Sequence, residues 1–284
     1  MYNPDRVSAY YDEFGAREWE RLDTSAHARL VLHLHNHFLK EHIGTNKKVL
    51  DAGCGAGRFA VHIAQSGSRV TLLDVSEEQI SLAKARFKEL ELNDRADGFF
   101  VEDICDLGVF DDHTFDTTVC YGGALNYLFE NATSGLSELV RVTKPGGSVL
   151  VSVMSRWGVI RMTIGSERLD PESFLGRPDY WMIPQVAETG DLWEHPELKH
   201  PPRHFFDSVE LRALLEDGGL ARVELGSTPS VSASFYARLD LVEKHPNAWK
   251  VVLDLEERAY RLPGMLDSGE HLLAKGSVPD FNVR

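Results

Sequence analysis

The stretch "VLDAGCGAGRFAVHIA", Val49 to Ala64, sets Gly53, Gly55 and Gly57 between an apolar run and a run with helical spacing. Glycines at such a joint let the backbone turn and approach a ligand closely, because no Cβ stands in the way. Strand, glycine joint and helix in that order define an α/β layout in which ligands bind beyond the carboxyl ends of the strands. The chain from Lys47 to about Ser155 agrees, since short β-branched runs alternate there with helical periodicity. Strands are expected at Lys48 to Asp51, Arg69 to Asp74, Gly98 to Val101, Phe115 to Cys120 and Ser148 to Met154. In "SEEQISLAKARFKEL", Ser76 is the N-cap, Gln79 follows three residues on, and Ile80, Ala83, Phe87 and Leu90 share one face, which predicts a helix. The turn "KPGG", Lys144 to Gly147, ends an amphipathic segment and starts the fifth strand.

Flanking segments divide the chain further. "TSAHARLVLHLHNHFLKEHIG" carries Leu30, Val31, Leu34 and Phe38 at helical spacing and stops on Gly44, a natural helix-ending residue. After Met154 the periodicity decays and Trp157, Tyr180, Trp181 and Trp193 appear among prolines, the texture of an inserted cap. Regular signals resume at "FDSVELRALLEDGGL", where Asp207 and Glu210 fit a capping box, and continue through the strand-like "ARVELG". A helical region from about Ser234 to Arg261, interrupted at Pro246, and the strand-like "HLLAKGSV" complete the chain. The expected units are 1–45, an N-terminal helical segment over the ligand site; 46–155, the nucleotide-binding core; 156–206, a substrate cap; and 207–284, the remainder of the sheet with helical elaboration.

Composition narrows the partners. Lys and Arg number 30 against 44 Asp and Glu, a formal charge of −14, so attraction to phosphate backbones is not expected and no nucleic-acid partner is predicted. No apolar run approaches the roughly 20 residues that span a bilayer, and the first residues lack a secretory pattern. A cytoplasmic protein with no membrane partner, monomeric or homodimeric, is expected. Cys54, Cys105 and Cys120 form neither an even framework nor a C-x-x-C pair and read as buried free thiols.

Three ligands compete for the glycine loop. A P-loop requires G-x-x-x-x-G-K-[ST], and no Lys-Ser or Lys-Thr follows these glycines. A dinucleotide fingerprint, G-x-G-x-x-G, would need glycine where Arg58 stands. The pattern D-x-G-x-G-x-G, Asp51 to Gly57, suits instead a ligand without a pyrophosphate, namely S-adenosylmethionine, a nucleoside joined through a sulfonium to an amino acid. Asp51 can accept from the ligand's ammonium or from loop amides, Asp74 can reach ribose hydroxyls, and Asp103 can accept from the adenine amino group while Ile104 packs on the ring.

These residues resemble the class I S-adenosylmethionine-dependent methyltransferases of the small-molecule type. The resemblance rests on "VLDAGCGAG", Asp74 in "LLDVS", Asp103 in "EDICDL", "FDTTVCYGGALNYL" and "LVRVTKPGGSVLVSV", and covers about Val49 to Val153 in detail. It implies an α/β fold: a doubly wound, seven-stranded, mostly parallel sheet whose last strand is antiparallel. Its cofactor positions fall on Asp51, Gly53, Cys54, Gly55, Asp74, Val75, Asp103, Ile104, Tyr121 and Gly122, with S-adenosylhomocysteine as the product. Tyr10 and Tyr11 resemble an aromatic pair folded over the cofactor, Tyr11 being the preferred contact.

A methyl sulfonium is already activated, so its transfer depends first on alignment; an acceptor hydroxyl or acidic carbon adds a need for a general base, and the sequence names none. The Asp-Pro-Pro-Tyr and Asn-Pro-Pro-Tyr motifs of amino-methylating nucleic-acid enzymes are absent, which points to a small molecule or peptide methylated at oxygen, nitrogen or carbon. Candidate acceptor-site residues are Trp157, Tyr180, Trp181, His195, His200 and His204. His33 and His37 share a helical face, but the Glu of H-E-x-x-H is missing and no metal is expected. The alternatives are a binding protein without catalysis, acting as sensor or partner subunit, and a nicotinamide-dependent oxidoreductase, for which the Y-x-x-x-K pair is lacking.

Overall fold

The computed structural model describes residues 2–165, 183–194 and 198–280. The first strands fall close to their predicted limits: β1 Lys48–Ala52, β2 Arg69–Asp74, β3 Ala96–Val101, β4 Phe115–Cys120 and β5 Thr143–Met154. β5 begins earlier than expected because Thr143 already pairs with Phe115; the ladder then shifts register across "KPGG", with Gly146 at φ 78°, and resumes at Ser148. Two later strands, β8 Ala221–Thr228 and β9 His271–Ser277, complete a seven-stranded sheet in the order β3-β2-β1-β4-β5-β9-β8. β9 runs antiparallel to both neighbours, as the resemblance implies. A separate two-stranded ribbon joins β6 Asp191–Leu192 to β7 Arg203–His204.

Alternation along the strands splits the core between two faces. On one, Val49, Val70, Leu72, Val119 and Leu150 meet α3 Ala26–Ile43, α4 Arg58–Gln65 and α5 Glu77–Glu89 through Phe38, Ile63, Ile80 and Phe87. On the other, Leu50, Leu73, Val149 and Val151 meet α6 Ala132–Val142 and α9 Ser208–Asp217 through Leu136, Leu139, Leu211 and Leu215. Helix ends follow local chemistry: Ser76 Oγ accepts from Gln79 N at 3.1 Å, and Ser25 Oγ accepts from Ala28 N at 3.1 Å. The expected box at α9 is only half made. Asp207 accepts from Val209 N and Glu210 N, but the Glu210 side chain turns away to His204 and Arg156.

Three further groups of helices complete the described chain. At the amino end lie α1 Pro4–Phe14 and the single turn α2 Arg17–Glu20. After β5 come α7 Arg156–Ile164 and α8 Ile183–Thr189. The region expected to be helical from Ser234 resolves into α10 Leu239–Glu243 and α11 Pro246–Ala259, Pro246 taking the first position of α11, where its missing N–H is harmless. No helix among the described residues is long and apolar enough to cross a membrane.

Candidate functional site

Beyond the carboxyl ends of β1, β2 and β4, where ligands bind in open α/β sheets, the structure opens a cleft. Gly53, Cys54 and Gly55 form one wall, Asp74 and Val75 a second, and Ile104, Tyr121 and Gly122 complete the floor. The loop is pinned to β2, since Gly53 N and Cys54 N both donate to Leu73 O at 2.8 and 3.0 Å. Gly53, at φ 74°, could not be replaced without movement: a Cβ there would lie 2.6 Å from Ala124 Cβ. A Cβ on Gly55 would press to 3.2 Å from Glu18 Cγ. Cys54 is buried, which raises its thiol well above the ordinary range, and its Sγ stands 3.3 Å from Gly55 O.

The three predicted acids take different positions. Asp74 lies on the wall, its Oδ2 accepting from Gly55 N at 2.8 Å and its Oδ1 from Ser76 N at 3.0 Å. Burial raises its pKa to about 6 despite those amide bonds. Asp51 stands behind the loop rather than on the wall, 1% exposed; the Ala60 amide in the first turn of α4 stabilises its charge, but neither oxygen accepts a hydrogen bond of normal geometry. The loop amides that could have bonded it go to Leu73 instead. Burial, with Asp74 adding repulsion, raises Asp51 to about 7. Asp103 is set beside the wall between lining residues Glu102 and Ile104, and its Oδ1 accepts from Tyr2 Oη and from Cys105 N, both at 2.9 Å.

The amino-terminal helices roof this cleft through contacts spanning 39 residues or more of sequence. Asp12 Oδ1 accepts from Ser76 Oγ at 2.5 Å and Glu78 N at 3.2 Å, while Gln79 Nε2 donates to the carbonyls of Tyr11 and Gly15. Trp19 is sandwiched between the guanidinium groups of Arg58 and Arg86, 4.5 and 4.4 Å from its ring centroid. Tyr11 lines the cleft as expected and its Oη meets Tyr127 Oη at 2.9 Å, burial raising its pKa well above the usual phenol range. Tyr10 turns outward, stacked on Phe14.

Sequence reasoning passed over Tyr2, Glu18, Trp19, Arg21 and Tyr127, all of which line the cleft. Only the Glu18 and Arg21 spacing in "REWER" offered a local signal: Arg21 Nε donates to both Glu18 oxygens at 2.8 Å. That pair also matters chemically. Arg21 is taken up by Glu18, and the other arginine on the wall, Arg58, by Asp23 at 2.8 Å. A ligand with a pyrophosphate would meet carboxylates and committed cations, whereas a hydroxyl-rich or cationic ligand meets acceptors and aromatic faces. The glycine cradle, unpartnered Asp51 and the acidic wall therefore fit an adenosyl amino acid.

The acceptor candidates do not gather here. Trp157 sits on α7, 44% exposed. His200 packs on Tyr10, ring centroids 4.9 Å apart, in a separate outer groove with Arg17 and Lys199. His204 lines a third cleft and is clamped by Asp191 at 2.7 Å and Glu210 at 2.8 Å. Tyr180, Trp181 and His195 lie outside the described residues. His33 pairs with Glu257 at 2.7 Å and His37 with Glu41 at 3.1 Å, which accounts for their shared face. Among the described residues no group of three or more His, Cys, Asp or Glu could hold a metal ion.

Comparison with known proteins gives one family match, the family described as "Methyltransferase domain", over residues 49–147. The malonyl-[acyl-carrier protein] O-methyltransferase of Erwinia billingiae is 36% identical over 124 residues, 44% of this chain and 45% of that protein. Its namesake in Hamiltonella defensa is 29% identical over 218 residues, 75% of this chain and 77% of that protein. The chain thus spans about half the length of the first curated relatives that it matches. Among solved structures, a chain from the complex of the Haloferax volcanii Trm112 methyltransferase activator with a methyltransferase superposes with a TM-score of 0.61 at 21% identity, covering 98% of this chain and 100% of that one. That likeness is one of fold.

Proposed function

From a chain that matches a methyltransferase domain over residues 49–147 and shares its fold with a solved methyltransferase, we propose a class I S-adenosylmethionine-dependent methyltransferase that methylates a small-molecule or peptide acceptor at oxygen, nitrogen or carbon. The observation that carries the reading is the glycine cradle at the end of β1, roofed by Glu18 and bordered by Asp74, with no uncommitted cation on its wall. When bound, the cofactor supplies an electrophilic methyl group on a sulfonium.

The protein's own groups bind, orient and exclude water. Asp74 keeps lone pairs beyond those given to Gly55 and Ser76, and these suit ribose hydroxyls. Ile104 offers an apolar face for the adenine ring beside Asp103, whose second oxygen is available to its amino group. Asp51 provides a negative charge behind the loop for an ammonium. Tyr11, Tyr127 and Tyr121 line the cleft with aromatic surface that would keep water from a bound methyl donor and its acceptor. The curated relatives named above and a demethylmenaquinone methyltransferase of Chlorobaculum tepidum, 31% identical over 105 residues, support methyl transfer to a small acceptor.

Calorimetry with S-adenosylhomocysteine tests the reading. Micromolar-class binding is expected, weakened at least tenfold in Asp74→Ala; equal binding by the variant would remove Asp74 from the site. Labelled-methyl transfer into a metabolite extract then identifies the acceptor and the atom that receives the methyl.

A further inference from the structure

Outside the roof of the cleft lies the second groove, lined by Tyr10, Glu13, Phe14, Arg17, Lys199 and His200. It forms where α1 and α2 meet the segment that leads into β7. Its floor is aromatic: the Tyr10 ring stacks on Phe14 at 5.7 Å and meets the His200 ring at 4.9 Å. One pair of rings separates it from the cofactor cleft, because Tyr10 lines the groove while Tyr11, 5.2 Å away edge to face, lines the cleft.

In a chain of formal charge −14 this groove is cationic. Arg17 and Lys199 line it, and Arg203 on β7 is near enough to act on the ionisation of both Tyr10 and His200. Arg17 is held by main-chain oxygens: its Nε donates to Phe14 O at 2.9 Å and its Nη2 to Glu13 O at 2.8 Å, with the guanidinium 4.7 Å from the Phe14 ring centroid. The carbonyls fix its direction and leave its charge and its other donors unspent. Arg203 lies over the Phe205 ring, 5.5 Å from the centroid, and its Nε is buried without a hydrogen-bond partner, as buried donors seldom are. Among the described residues that line the groove, Glu13 is the only carboxylate, and it is exposed. Glu18, which also acts on Tyr10, is taken up by Arg21. Burial and the charge of Arg203 push the His200 pKa down to about 4, so its ring adds a hydrogen-bonding nitrogen and no further charge at neutral pH.

The cofactor cleft lacks what this groove holds. On the cleft wall Arg21 and Arg58 are committed to Glu18 and Asp23, so a negative charge on an acceptor finds no unspent cation there. We propose that the groove binds the anionic group of the acceptor, a carboxylate or a phosphate, and that the acceptor crosses the Tyr10–Tyr11 pair to bring its reacting atom to the cleft; this rests on the methyltransferase reading. Arg17 presents a planar fork that matches either anion, Arg203 its unpaired N–H, and Lys199 a flexible point charge. The stacked rings of Tyr10 and Phe14 give the adjoining apolar part of the acceptor a surface to pack on. The negative field of the chain as a whole repels free anions, so an anion is kept here only by direct contact with these groups.

The test uses the full chain and begins without cofactor. In a non-anionic buffer at constant ionic strength, titration with inorganic phosphate and, separately, with acetate should shift the ring NMR signals of Tyr10 and His200 saturably, and Arg17→Gln should weaken the response at least threefold. Methyl-labelled S-adenosylmethionine and a metabolite extract then yield the product, which should still carry a free carboxylate or a phosphate; its structure says which of the two anions the groove takes. With that acceptor purified, Arg17→Gln and Lys199→Gln should each raise its KM by about tenfold or more while S-adenosylhomocysteine affinity stays within twofold of the parent. Lys199 is exposed, so its variant keeps the test open if Arg17→Gln loosens the end of α1. Ring signals unmoved by either anion, a product with no anionic group, or a KM within threefold of the parent in both variants overturns the proposal while leaving the cofactor reading intact. A parent chain that neither binds S-adenosylhomocysteine nor transfers label overturns the methyltransferase reading and the acceptor's place in the groove with it.

Discussion

Asp51→Asn should make the ligand-free protein clearly more stable at pH 8 and leave it nearly unchanged at pH 4. In the parent the carboxyl is 1% exposed with no hydrogen-bond partner, and its pKa rises from 3.8 to about 7 through burial and the repulsion of Asp74. Between these values the folded chain holds a proton that the unfolded chain has released, so stability falls as pH rises. A shift of about three units at about 1.36 kcal/mol each makes ionised Asp51 cost about 4 kcal/mol above pH 7. At pH 4, close to the unfolded value, the cost is only about 0.5 kcal/mol. An asparagine amide carries no charge and leaves a buried polar group unpaired at about 1–3 kcal/mol, but the protonated carboxyl of the parent is unpaired in the same way, so that cost cancels. The variant should therefore gain about 4 kcal/mol at pH 8 and only about 0.5 kcal/mol at pH 4. Urea unfolding of both proteins at the two pH values, read as midpoints at equal slopes, measures this pH dependence directly. A stability difference that is the same at both pH values, or a loss that deepens with pH, would refute the assignment of Asp51 as an uncompensated buried acid.

Two further outcomes follow from the same geometry. Gly53→Ala places a Cβ 2.6 Å from Ala124 Cβ at φ 74°, and strain plus overpacking should lower stability by about 2–4 kcal/mol and weaken S-adenosylhomocysteine binding; a change below about 0.5 kcal/mol in urea unfolding would mean the loop is not held as described. His204, although burial disfavours its charge, is raised above its ordinary pKa by its bonds to Glu210 and Asp191. Its contribution is thus full below pH 6.5 and is lost as pH rises through the raised value, so His204→Gln should cost about 1–3 kcal/mol at pH 5.5 and much less at pH 9.5, and a pH-independent cost in paired unfolding curves would argue against the clamp.

What could be read from the sequence was whatever is settled within one strand, loop and helix. Gly53, Gly55, Asp74 and Ile104 sit within a few residues of a strand end, so strand polarity alone brings them to one edge of the sheet, and all four line the cleft. The roof is different in kind. Asp12 meets Ser76, Gln79 meets Tyr11, and Trp19 lies between Arg58 and Arg86, pairings across 39 to 68 residues that leave no periodic trace in either partner. The buried pair of His27 and Glu270 is harder still to foresee, because its members are 243 residues apart and meet only through the antiparallel return of β9 beside β5. Aromatic and histidine content after Met154 drew attention to the cap, yet of those residues His204 is already saturated by two carboxylates and Trp157 faces solvent. A histidine held by a carboxylate at each ring nitrogen has no lone pair to lend a ligand. Which lone pairs are spent is decided by three-dimensional placement, and that is why histidine content alone could not single out the residues for the acceptor.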